Sequence, residues 1–241
     1  LFLTIEMETY LNFSNANIWS EIWPELALAL AALLILGIDL FRKSNNPLIS
    51  TGSLAIFFQA GLLIFHLFDY LAWHHTFDRV TFSGMLKQGI QGDVMRTFFL
   101  LSSLLVSVLG RQYLKGKNLR SGEFHHLTML ATAGLMLLVQ SNHFIMLFVA
   151  LETVAVCFYT LVAYNRDSAK SLEAGIKYLI FGALSSSLLL FGIVLLYGVA
   201  GNPEAWGASY VGFEGQDPLG FQYLGNLLEA NPDHLLLRAG V

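Results

Sequence analysis

Apolar and polar positions alternate in long blocks along this chain. Predominantly apolar runs cover residues 22–40, 48–68, 94–109, 126–139, 144–164 and 172–199. Between them lie short polar breaks, among them Asn45-Asn46-Pro47, Gln140-Ser141-Asn142-His143 and the turn from Asn165 to Lys170. About 20 apolar residues are enough for a helix to cross the hydrocarbon core of a bilayer. Five of the runs approach or exceed that length, and the fourth reaches it if Glu123 and Phe124 join it. His234 then opens a seventh run that breaks off at Val241. The pattern predicts an all-α polytopic membrane protein with six transmembrane helices and the start of a seventh. Its segments are 1–21 ahead of the first helix, 22–123 with three helices and their loops, and 124–199 with helices four to six. An acidic loop, 200–233, and a truncated helix, 234–241, complete it. In the sixth run Gly182, Ala183, Ser186 and Ser187 are small enough for close contact with a neighbouring helix.

Composition agrees. Of 241 residues 55% are hydrophobic and 12% charged, about half the charged share of a soluble domain. The mean hydropathy is +0.60. No basic patch points to nucleic acid. A single cysteine, Cys157, lies in an apolar run, so an intrachain disulfide is ruled out and the thiolates for an iron–sulfur cluster are too few. Lys and Arg gather in alternate loops: Arg42 and Lys43, then Arg111, Lys115, Lys117 and Arg120, then Arg166 and Lys170. The other side holds Arg79, Lys87, Arg96 and Arg238. By the positive-inside rule the N-terminus is expected outside and the three basic loops in the cytoplasm. The chain starts at Leu1, with Met7 an alternative start, and no basic region of a cleavable signal precedes the first run. It reads as the N-terminal part of a longer protein.

Against that background a few residues carry possible chemistry. Glu152 is the ninth residue of the fifth run, about 12 Å from its beginning at 1.5 Å per residue. An acid near the membrane midplane is expensive unless something pairs with it. The functional reading is a proton-relay carboxylate whose charge is governed by burial and by a nearby Lys or Arg; the bland one is a structural acid hydrogen-bonded to a neighbouring helix. Lys177 admits two readings. Its stem could snorkel to the interface beside Glu173, four residues earlier on the same face, or the ammonium could turn inward as a charge partner or modulator of Glu152. Asp39, beside Arg42 and Lys43, reads as an interfacial ion pair, and Pro24 with Glu25 suits a first helical turn. His66 and His143, near the outer face, could suggest a haem pair, but proximity to an interface explains them more simply. No Walker loop, dinucleotide fingerprint or metal-ligand spacing is present.

The stretch from Phe124 to Gly201 resembles subunit N of proton-pumping NADH:quinone oxidoreductase, respiratory complex I. The resemblance rests on Leu151-Glu152, Tyr159, Arg166, Ser171, Glu173-Ala174, Lys177-Tyr178, Ser186 and Tyr197-Gly198; it is looser in the first three helices. It implies the N-terminal part of a fourteen-helix antiporter-like fold, with two inverted five-helix repeats. It implies too a proton half-channel in which Glu152 acts as relay and pairs with a lysine on the seventh helix, beyond the end of this chain. Cys157 stands where many members carry proline. The implied function is that of a translocase subunit in a bacterial inner membrane. Such a subunit has no redox cofactor of its own and works beside neighbouring antiporter-like and small membrane subunits of complex I. NADH and quinone are used elsewhere in the complex. The rival within the class is a subunit of a multisubunit sodium/proton antiporter or membrane-bound hydrogenase. A membrane cytochrome and a structural assembly subunit are rivals from other classes.

Overall fold

The first helix, α1 (Trp23–Phe41), starts with Pro24 and Glu25 in its opening turn, where a missing N–H and a negative charge both fit the unpaired amides of a helix N-terminus. It is followed by α2 (Thr51–Ala72), a two-stranded hairpin of β1 (Arg79–Thr81) and β2 (Leu86–Gln88), and α3 (Ile90–Lys117). Then come α4 (Gly122–Gln140), α5 (Phe144–Val162), α6 (Ala169–Gly201), α7 (Phe221–Ala230) and α8 (Leu235–Gly240). The computed structural model describes residues 19–41, 51–72, 79–117, 122–202 and 217–240. The Asn45–Pro47 turn, Arg42 and Lys43, Arg120 and most of the N-terminal segment lie outside the described residues, as does the acidic loop between 203 and 216.

Among the described residues five helices are long and apolar enough to cross a membrane: Trp23–Phe41, Thr51–Leu71, Ile90–Lys117, Phe144–Val162 and Ala169–Gly201. Six were expected, and the one that does not meet this measure of length and apolarity is α4. Its 19 residues include Glu123, His125, His126, Thr128, Thr132 and Gln140, so it falls short in apolarity. The reason lies in its place. Packed against α1, α3 and α5, it buries ten residues, His125 and Gln140 among them. A helix facing protein on most sides is free of the demand for an apolar surface that lipid imposes. The outer helices show the opposite pattern, with Phe57, Phe65, Phe68, Leu188 and Phe191 exposed. At Gly134 α4 lies so close to α5 that a β-carbon would come within 2.8 Å of Val154 Cγ2.

Two apolar cores result. One joins α1 to α4 through Leu28, Ala32, Leu62, Leu100, Met129 and Met136. The other joins α5 and α6 to α7 and α8 through Phe148, Ile193, Leu196, Leu224, Leu227 and Leu237. Helix α7 lies in the stretch expected to be loop; Tyr223, Leu224 and Leu227 form its buried face, and the Tyr223 hydroxyl donates to Ala200 O at 3.1 Å.

The hairpin closes one end of the bundle. Its turn takes Phe82, Ser83 and Gly84 through positive φ, at 51°, 55° and 92°; Gly84 bears this without penalty, whereas Phe82 is a costly residue to hold there. Trp19 packs edge-on against the Phe82 ring. Asn142, in the α4–α5 turn, clamps the hairpin by donating its backbone N–H to Met85 O and its side-chain amide to Gly84 O, at 2.8 and 3.0 Å. This is the hairpin end. Lys115, Lys117, Arg166 and Lys170 mark the opposite, basic end.

Candidate proton site

The α5–α6 seam begins at the basic end. Arg166 in the connecting turn donates to Glu123 at 2.8 Å, and Ser171 Oγ donates to Val162 O at 2.9 Å. Gly175 then brings α6 against α5: a β-carbon there would stand 2.5 Å from Ala163 Cβ. Glu152 stands eleven residues before Ala163, and Ser186 eleven after Gly175. Because the helices are antiparallel, these intervals place the two residues opposite each other. Eleven residues also rotate each by about 20° from the contact direction, so both stay on the seam. Glu152 is half-buried. Its Oε1 is buried and, among the described residues, has no hydrogen-bond partner. An orphaned carboxylate oxygen in such a place needs a donor, a proton or water.

Lys177 is elsewhere. Two residues past Gly175, it is turned by about 200° from the α5 contact. It is exposed and pairs with Glu173 at 2.5 Å, the two side chains 66% and 63% accessible. The structure therefore places the lysine on the far face of α6, in the local pair that its spacing from Glu173 allows, and does not bring it to Glu152.

The two histidines are engaged in protein contacts. His66 Nε2 lies 3.3 Å from Asp93 O. His143 caps α5, its Nδ1 accepting from Ile145 N at 3.1 Å, and its Nε2 is 3.0 Å from Asp217 Oδ1. Burial alone would raise Asp217, but the Leu219 N–H and His143 outweigh it and hold the carboxyl below its ordinary range. Asp39 accepts from Thr51 Oγ1 at 3.5 Å; its expected partners lie outside the described residues. Among the described residues no group of three or more His, Cys, Asp or Glu could hold a metal ion.

A charge cluster at the hairpin end was not anticipated from the sequence. Arg96, on α3, donates through Nε to Glu25 Oε1 at 2.7 Å and through Nη1 to Asp93 Oδ1 at 3.2 Å. Its Nη2 reaches Gln140 Oε1 at 2.6 Å and Glu21 O at 2.7 Å. Gln140 in turn donates to Glu25 Oε1 at 2.5 Å and accepts from Gln88 at 2.5 Å. Glu25, Asp93, Arg96 and Gln140 are all buried, so one guanidinium ties α1, α3 and α4 together.

Comparison with known proteins shows what the chain resembles. "NADH-quinone oxidoreductase subunit N 1" of Opitutus terrae is 47% identical over 98% of this chain and 45% of its own length. Over nearly its whole length the chain is similar to subunit N proteins. The family described as "NADH:quinone oxidoreductase/Mrp antiporter, TM" matches residues 141–210, the stretch that holds Glu152 and the whole α5–α6 seam. Respiratory complex I from Thermus thermophilus with bound aureothin contains a chain of similar fold. That chain has a TM-score of 0.57 and 25% identity, over 87% of this chain and 43% of the other. An archaeal membrane-bound sulfane sulfur reductase gives a TM-score of 0.69 at 18% identity, over 91% and 42%, which speaks for the fold alone. The chain thus spans less than half the length of the proteins it matches.

Proposed function

We propose that this is the N-terminal part of the antiporter-like subunit N of a bacterial NADH:quinone oxidoreductase, with Glu152 as its proton-relay carboxylate. The observation that carries the reading is the buried Glu152 oxygen, without a hydrogen-bond partner among the described residues, in the middle of a 19-residue apolar helix. A carboxylate so placed changes protonation when the charge near it changes, because little solvent is there to screen it. Quinone reduction elsewhere in the complex would supply that change, and a lysine on a later helix would be the partner. The reading takes α1 to α6 as six spanning helices and α8 as the start of a seventh, within a fourteen-helix fold. It puts the N-terminus outside and the basic end in the cytoplasm. Redox cofactors belong to other subunits, and lipid and neighbouring membrane subunits cover the exposed apolar faces. The antiporter or hydrogenase reading is weaker, since 47% identity favours subunit N.

The test is Glu152→Gln in the full-length subunit, with assembly checked on a native gel. Proton uptake by inverted membrane vesicles is measured beside NADH-driven quinone reduction. The expected outcome is an assembled complex that pumps poorly, with quinone reduction falling if coupling is tight. Wild-type pumping by an assembled variant would remove Glu152 from the mechanism.

A further inference from the structure

Between Glu152 and the basic end of the seam stands Tyr159. It is seven residues beyond Glu152, hence within about 20° of the same face, and three residues, about 4.5 Å, from the last residue of α5. Its hydroxyl and ring lie directly over Gly182 of α6; a methyl at that position would overlap both. The ring is held edge-to-face by Tyr178, with centroids 5.1 Å apart and planes at 88°. Four residues further along α6 comes Ser186, opposite Glu152, its Oγ donating to Gly182 O at 2.8 Å. The phenol stands about 10 Å along α5 from Glu152, on the same face of the helix. Toward the hairpin end the seam turns apolar: Phe144, Phe148, Leu189 and Ile193 belong to the second core.

We propose that the Tyr159 hydroxyl hands protons to Glu152 from the basic end of the seam, and that Gly182 is a glycine because the phenol must be seated there. The inference rests on Glu152 being a relay and deepens that reading. A phenol donates one hydrogen bond while accepting another. Its O–H bond can break toward a bridging water that passes a proton on to the ionised Glu152 carboxylate, while a new O–H forms with a proton from a hydronium ion at the basic end, which is left as neutral water. The phenol is regenerated, one proton has moved inward, and no charge remains on the ring. A phenylalanine would pack on Tyr178 equally well, yet could not do this.

The experiment uses the intact complex with Tyr159→Phe and, separately, Gly182→Ala in the full-length subunit. Pumping, quinone reduction and the solvent deuterium isotope effect on pumping are measured for each, beside Glu152→Gln. Tyr159→Phe should assemble, pump several-fold more slowly and show an altered isotope effect, which a purely packing role would leave unchanged. Gly182→Ala keeps every hydroxyl but pushes the phenol off its seat, and should also pump several-fold more slowly; it decides the matter if Tyr159→Phe does not assemble. Normal pumping and isotope effect in Tyr159→Phe, or normal pumping in Gly182→Ala, overturns the role of Tyr159 where Glu152→Gln is impaired. If Glu152→Gln also pumps normally, the relay reading fails with it.

Discussion

Replacing Arg96 by methionine should be among the most destabilising single changes in this chain. Methionine fills much of the same volume but leaves the Glu25 and Asp93 carboxylates buried without their cation, and Gln140 Oε1 and Glu21 O without a donor. Breaking one buried pair costs about 3–5 kcal/mol, because the remaining charge is uncompensated. Two carboxylates depend on Arg96, which puts the expected loss in the upper half of that range unless one of them takes up a proton. Lysine keeps the charge but not the planar fork, and with four acceptors to serve it should recover part of the loss. In the double variant Arg96→Met with Glu25→Gln, one stranded charge is gone, so the combined loss should be smaller than the sum by about 0.5–3 kcal/mol. The assay is heat or denaturant resistance of the detergent-solubilised complex, followed by protease protection of this subunit, with assembly on a native gel. If Arg96→Met assembled and resisted heat as well as the wild type, the cluster would not be holding α1, α3 and α4 together.

Two further outcomes are expected. Lys177→Met should pump almost normally if the exposed Glu173 pair is all that the lysine makes; clear slowing that Lys177→Arg restores would show that a positive charge on that face of α6 is needed. The segment 217–220 should stay fixed to the start of α5 from pH 8 down to pH 5. Asp217 is held below its ordinary range, so the stabilisation it gives is present above the unfolded value of about 3.9 and is lost as pH falls through the lower folded value. Hydrogen exchange of the 217–220 amides, corrected for the intrinsic rate, should accelerate only in that acid window; acceleration between pH 8 and 5 would contradict it.

The helices were legible because lipid demands length and apolarity together, and five of the runs supply both. Helix α4 was legible as a helix but not as the inner one, since burial among other helices leaves no periodic mark on a short run. Lys177 was legible only as two alternatives, of which its spacing to Glu173 allowed the local pair that the structure shows. The Arg96 cluster was not legible: Glu25, Arg96 and Gln140 lie far apart in sequence, and each had a sufficient local explanation at a helix end. Helix α7 did leave a signal, Phe221, Leu224, Leu227 and Leu228 at helical spacing, hidden inside a stretch dominated by acids and glycines. Among the described residues Glu152 Oε1 has no hydrogen-bond partner, so the candidate site was read from a residue's depth and not from its contacts.

The polar character of α4 also bears on how the protein is made. A segment carrying Glu123, two histidines and Gln140 is a poor substrate for insertion into a bilayer by itself, since charged and polar positions are penalised one helix at a time during synthesis. Its successor α5 is strongly apolar and follows after three residues, 141–143. The pair should therefore leave the translocation machinery as a helical hairpin, with α5 carrying α4 into the membrane and Gly134 allowing the two to close. The polar groups of α4 would then be sheltered before α6 is synthesised, and the order of assembly would be written into the composition of its least apolar helix.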